Sequence, residues 1–115
     1  MLVDDTPLRM SRLKEALNAA GFSVVAEAGS SIDLPARVAS IQPDAIIIGT
    51  DSPTGSVLEQ LYVVSRDSPR PIVMFTGDCS SESIQAAIGA GVSAYVVDGI
   101  VPSRIQSILE VAMAR

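Results

Sequence analysis

The sequence predicts an α/β fold, a doubly wound parallel sheet of five strands with helices on both faces, and three observations predict it. First, Ala45-Ile46-Ile47-Ile48 runs apolar without a polar break between the turn signals Pro43-Asp44 and Ser52-Pro53. A short apolar run so bounded fits a strand buried on both faces, which belongs at the centre of a helix-covered parallel sheet. Second, strand-like runs alternate along the whole chain with stretches of helical spacing. Third, 48% of the 115 residues are hydrophobic but only 3% are aromatic, so the core must be Ile, Val, Leu and Ala. A chain of this length makes one domain, expected to occupy residues 1–115.

Each element follows from local signals. Met1-Leu2-Val3 is a short first strand that ends at Asp4-Asp5. Thr6 is a plausible N-cap and Pro7 suits the first helical turn; Leu8, Leu13, Ala16, Leu17 and Ala20 then recur at helical spacing until Gly21 stops the helix. Ser23 to Ala28 reads as a second strand and Gly29-Ser30-Ser31 as a turn. Asp33 can cap a second helix with Pro35 early, Leu34, Val38 and Ile41 inward, and Pro43 at its end. After the central strand, Val57, Leu58, Leu61, Tyr62 and Val64 mark a third helix, broken by Asp67-Ser68-Pro69-Arg70-Pro71. Ile72 to Phe75 is a fourth strand ending in Thr76-Gly77-Asp78. Ser80 or Ser81 can cap a fourth helix carrying Ile84, Ala87 and Ile88, stopped by Gly89-Ala90-Gly91. Val92 to Val97 is a fifth strand closed by Asp98-Gly99, and Pro102-Ser103 opens a fifth helix with Ile105, Ile108, Leu109 and Ala112. Right-handed crossovers with the most hydrophobic strands at the centre give the order 2-1-3-4-5, a flavodoxin-like arrangement.

Composition excludes several functions. A net charge of −5 offers nucleic acid no electrostatic footprint. No apolar run approaches the roughly 20 residues needed to span a bilayer. The start of the chain does not read as a signal peptide, so a cytoplasmic location is expected. Cys79 is the one cysteine, which rules out a disulfide framework. There is no histidine, so nucleophile–histidine catalysis is excluded.

The chemistry-bearing residues converge on one edge. In an open α/β sheet the carboxyl ends of the strands hold the ligand site. The loops there would gather Asp4 and Asp5, Gly49 and Asp51, Thr76 and Asp78, and Asp98. Several carboxylates in one crevice coexist only with a divalent cation or with raised pKa values. Mg²⁺ is the natural candidate, with Asp4 and Asp5 as ligands; the alternative is a solvated turn with a capping role. A phosphate-binding loop after the first strand is a poor fit, since Asp4-Asp5-Thr6-Pro7 carries two negative charges and a proline without a donor.

Leu2-Val3-Asp4-Asp5, Pro43-Asp44 through Pro53, Phe75-Thr76 and Gly89 through Tyr95 together resemble the receiver domain of two-component response regulators, over the whole chain. Asp51-Ser52-Pro53, Arg70 through Thr76 and Gly91 through Gly99 further resemble the NasT branch of the AmiR/NasT antitermination regulators, in which a receiver precedes a helical RNA-binding (ANTAR) domain. The resemblance implies a regulatory module rather than an enzyme, with no catalytic residue of its own. It implies Asp4 and Asp5 as Mg²⁺ acids, Thr76 as the phosphoryl-binding hydroxyl and Tyr95 as the switch aromatic. Thr76 also reads as a cap of the loop into the fourth helix, and Tyr95 as a half-buried strand residue whose hydroxyl meets water. Two positions depart from the pattern: Gly49 stands where the phosphoacceptor aspartate is expected, and Asp98 where a lysine is expected. Glycine has no nucleophile, and an aspartate in place of lysine turns attraction for phosphate into repulsion. Asp51, two residues on, is the weaker alternative acceptor; its other reading is a cap for the third helix with Ser52-Pro53.

Partners are expected to be proteins. Ser83 to Val97 contains no charged residue, whereas a surface helix ordinarily carries charge on its outer face. That region and the last helix suit a homodimer or an intramolecular contact, and the bland alternative is a merely neutral surface. A histidine kinase or another sensor protein is the implied upstream partner. The last helix reaches Arg115 without a stop signal, which fits either continuation into an ANTAR domain absent from this chain or a fraying end.

Overall fold

A computed structural model describes residues 1–29, 32–98 and 100–114. Ser30 and Ser31 of the predicted turn, Gly99 of the strand-closing pair and Arg115 lie outside the described residues. The elements are β1 (Leu2–Val3), α1 (Pro7–Ala19), β2 (Glu27–Ala28), α2 (Leu34–Ile41), β3 (Ile46–Gly49), α3 (Gly55–Asp67), β4 (Ile72–Thr76), α4 (Ser81–Gly89), β5 (Ala94–Val97) and α5 (Pro102–Met113). The strands pair in parallel in the order β2-β1-β3-β4-β5, as the sequence predicts.

Alternation along the strands divides the core into two layers. Leu2, Ile47, Val73 and Phe75 pack with Leu13, Leu17, Ile105 and Leu109 from α1 and α5. Val3, Ile46, Ile48, Ile72 and Met74 pack with Leu34, Val38, Leu61, Val64 and Ala87 from α2, α3 and α4. Every residue of β3 and β4 is buried, whereas no residue of the edge strands β2 and β5 is. Both edge strands are shorter than expected. β2 forms ladder only beside the two residues of β1. At β5, Val92 instead closes the end of α4 through its amide on the Ala87 carbonyl, 3.1 Å. Gly91, at φ 100°, makes that turn; a Cβ there would meet Ser65 Oγ at 1.9 Å, so α3 and the end of α4 approach as closely as only glycine permits.

Other corrections concern side chains. Leu8 is not inward but 72% exposed, and Tyr62 and Ile88 also face outward. Thr6 occupies the N-cap position of α1 without a side-chain cap bond. Asp33 and Ser80 do cap α2 and α4, accepting from the amides of Ala36 and Ser83.

Candidate functional site at the carboxyl edge of the sheet

Register sets the site. Gly49 ends β3 beside Phe75, and Thr76 ends β4 beside Val97. The chain therefore leaves β1, β3, β4 and β5 at one edge, and a cleft of about 310 Å³ there is lined by Asp4, Asp5, Arg9, Gly49, Thr50, Asp51 and Ser52 among others. A second cleft beside it is lined by Arg9, Arg12, Asp51, Thr76 and Asp98 among others.

Asp4 is not a solvated turn residue: its side chain is 0% exposed. Its charge is met in full. Arg9 Nε donates to Oδ2 at 2.7 Å and Arg9 Nη2 to Oδ1 at 2.8 Å, while the Thr6 amide donates to Oδ1 at 2.9 Å. The other arm of the same guanidinium, Nη1, donates to Asp51 Oδ1 at 2.6 Å. The hydrogen bond from Arg9 to Asp4 is the main cause of an arginine pKa raised above its already high ordinary value. Asp5 turns another way, its carboxylate lying against Gly29, where a Cβ would meet Oδ1 at 3.0 Å.

Gly49 carries more than a missing nucleophile. A Cβ at that position would meet Asp4 Oδ2 at 2.1 Å and Leu13 Cδ1 at 2.9 Å. The buried carboxylate of Asp4 thus occupies the space into which a side chain at the end of β3 would project. Asp51 does not cap α3: its side chain is 91% exposed and engages Arg9, and the N-cap position belongs to Thr54.

The residues present do not fit Mg²⁺. That ion takes oxygen ligands in near-octahedral geometry, and both oxygens of Asp4 already accept from the Arg9 guanidinium, a positive charge that a divalent cation would have to sit against or displace. Among the described residues no group of three or more His, Cys, Asp or Glu is placed to hold a metal.

Thr76 is buried and spans the loops. Its hydroxyl donates to the Asp51 carbonyl at 2.9 Å and accepts from the Asp78 amide at 3.2 Å. Asp78 is the hub beyond it. Its carboxylate accepts from Ser52 Oγ at 2.5 Å, Ser83 Oγ at 2.6 Å and the Ser80 amide at 2.9 Å. The two serine hydroxyls, chiefly Ser52, hold its pKa well below the ordinary carboxylate value. Tyr95 does not leave its hydroxyl to water; it donates to the Asp78 carbonyl at 2.5 Å. Desolvation, and next the Asp78 charge, raise the Tyr95 pKa. Asp98 takes a left-handed conformation, φ 53°, at the end of β5, and its side chain is exposed. The edge therefore gathers the expected residues, but Asp4, Asp51, Thr76 and Tyr95 bond to the protein itself.

The sequence reading missed Arg9 and the hub role of Asp78. A signal for Arg9 existed. A cation in the first turn of a helix opposes the helix dipole, and α1 has no acidic residue in that turn to offset it. Such a misplaced charge calls for a partner outside the helix.

The family model described as response regulator receiver domain matches residues 1–110. Transcriptional regulatory protein PdtaR of Mycobacterium tuberculosis is 24% identical over 115 residues, 100% of this chain and 56% of that protein, so the chain spans about half the length of this relative. Chemotaxis protein CheY of Listeria monocytogenes is 23% identical over 113 residues, 97% of this chain and 95% of that protein. Among solved structures, a two-component response regulator of the LuxR family from an Aurantimonas species superposes with a TM-score of 0.80 at 26% identity, covering 99% of this chain and 83% of that one. The signal receiver domain of a modulated diguanylate cyclase from Desulfovibrio desulfuricans reaches a TM-score of 0.82 at 17% identity, over 98% and 90% of the two chains, a likeness of fold alone.

Proposed function

This chain belongs to the response regulator receiver domain family, and from that premise we propose that it is a receiver whose phosphoryl transfer is lost and which regulates through protein contact rather than catalysis. One observation carries the reading: the residue that ends β3 is Gly49, and the space beside it is taken by the carboxylate of Asp4. An acyl phosphate needs a carboxylate at the strand end. Here there is none, and Asp98 adds a negative charge where phosphate attraction is expected.

The finer assignment is to the NasT branch, with a histidine kinase or other sensor protein upstream and an RNA-binding ANTAR domain downstream. The segments Asp51-Ser52-Pro53, Arg70 through Thr76 and Gly91 through Gly99 support it. So does the likeness to a transcriptional regulatory protein nearly twice the length of this chain. The domain itself is acidic and leaves RNA contact to such a partner domain.

A second reading makes Asp51 the acceptor with Mg²⁺, and the exposure of its side chain favours it. Against it, the Asp51 carboxylate is bound to Arg9 and its carbonyl to Thr76. Incubation with acetyl phosphate and Mg²⁺, read by intact mass beside a receiver known to accept phosphate, separates the two. The expected result is no phosphoryl adduct on this chain. An adduct that disappears in Asp51→Asn overturns the proposal in favour of the second reading.

A further inference from the structure

We infer that Arg9 is the resident cation of the acidic edge, a guanidinium fixed where the resemblance places Mg²⁺, so that the edge is neutralised and latched without metal. This goes beyond the proposed loss of phosphoryl transfer, since it concerns what neutralises Asp4. The geometry is a double clasp. One edge of the planar guanidinium meets both oxygens of Asp4 side-on, at 2.7 and 2.8 Å, and the remaining nitrogen reaches Asp51 at 2.6 Å. The two limbs differ in weight. The Asp51 carboxylate is 91% exposed, and an ion pair so wet contributes little. The Asp4 carboxylate has no solvent, so its charge is tolerable only with a paired and hydrogen-bonded partner.

Gly49 completes the device. The Asp4 carboxylate meets Arg9 from a position that any Cβ at residue 49 would contest at 2.1 Å. The missing side chain on β3 and the arginine on α1 are therefore two halves of one arrangement. The strand end is bare, Asp4 fills it, and Arg9 neutralises Asp4. A divalent ion and a guanidinium also differ in kind. Mg²⁺ keeps several waters and exchanges with solution, whereas Arg9 is covalently part of α1, always protonated and beyond the reach of a chelator. The cation that ties β1 to the loop after β3 is then permanent.

The test uses the ¹⁵N-labelled chain and Mn²⁺ as a paramagnetic stand-in for Mg²⁺. In the wild type, the amides of Asp4, Asp5, Gly49 and Thr50 should stay sharp at Mn²⁺ concentrations that broaden them in Arg9→Ala, a gain of at least about tenfold in apparent affinity. Millimolar Mg²⁺ should raise the melting temperature of the variant and leave that of the wild type unmoved. Wild-type broadening at the variant's concentrations overturns the inference. So does silence in both proteins, because Arg9 then keeps nothing out. Should Arg9→Ala not fold, the wild type decides: a melting temperature indifferent to both EDTA and Mg²⁺ supports the inference, and one that responds to either overturns it.

Discussion

Gly49 matters for what it admits as much as for what it lacks. In a strand, replacing glycine by alanine ordinarily stabilises a protein slightly, by restricting the unfolded chain. Here the sign should reverse. The added methyl would sit 2.1 Å from Asp4 Oδ2 and 2.9 Å from Leu13 Cδ1. The first atom is the end of a side chain but is held by Arg9, and the second belongs to a fully buried leucine. Overpacking of this kind costs about 2 kcal/mol, so Gly49→Ala should unfold at lower urea with an unchanged slope. A neutral or stabilising result means that the Asp4 carboxylate moves freely. Glycine at position 49 was legible in the sequence as an anomaly. Its partner was not, because Arg9 reaches Asp4 across the turn from β1 into α1, a spacing that matches no helical or strand pair.

At the scale of elements, the loops after β3 and β4 are joined to the start of α4 through Asp78. Ser52 comes from the loop before α3, Ser80 caps α4, Ser83 lies in its first turn, and Tyr95 arrives from β5. Caps and turns could be read from the sequence one loop at a time. A bond between residues 26 apart could not, since it depends on the sheet order bringing β3 and β4 together. The hub predicts a pH dependence. Asp78 titrates in the folded chain below its ordinary value of 3.8, so between those two pH values the unfolded chain binds more protons than the folded one. The stabilisation from its ionised form is complete above the ordinary value and drains away as pH falls through the folded value. Wild type should therefore melt above Asp78→Asn near neutrality, with the gap closing as pH drops below about 4. A gap that is constant across acid pH would show that the ionised carboxylate is not what the serines hold.

At the scale of the molecule, sheet order was readable because burial in a parallel sheet leaves a compositional trace. Ile46-Ile47-Ile48 and Ile72 through Phe75 are buried on both faces, and β2, which carries Glu27, falls at one edge, with the half-buried Ala94-Tyr95-Val96-Val97 of β5 at the other. A binding surface leaves a weaker trace, because a neutral stretch can be core or contact. The structure divides Ser83 to Val97 between those roles: Ala87, Ala90 and Val92 are buried, whereas Gln85 and Ala86 are exposed and Ile88 is 60% exposed. On α5, Val111 at 63% and Met113 at 41% exposure add apolar surface. Glu82 in the first turn is the one charge on α4, and from Ser83 onward its outer face is neutral, so association through this region is favoured by apolar burial and opposed by little desolvation. The chain should run as a dimer in size-exclusion chromatography with light scattering, and Ala86→Glu, which places a charge among these neutral residues without touching the core, should run as a monomer. A wild type that stays monomeric at high concentration removes the self-association reading and leaves that face to a different protein.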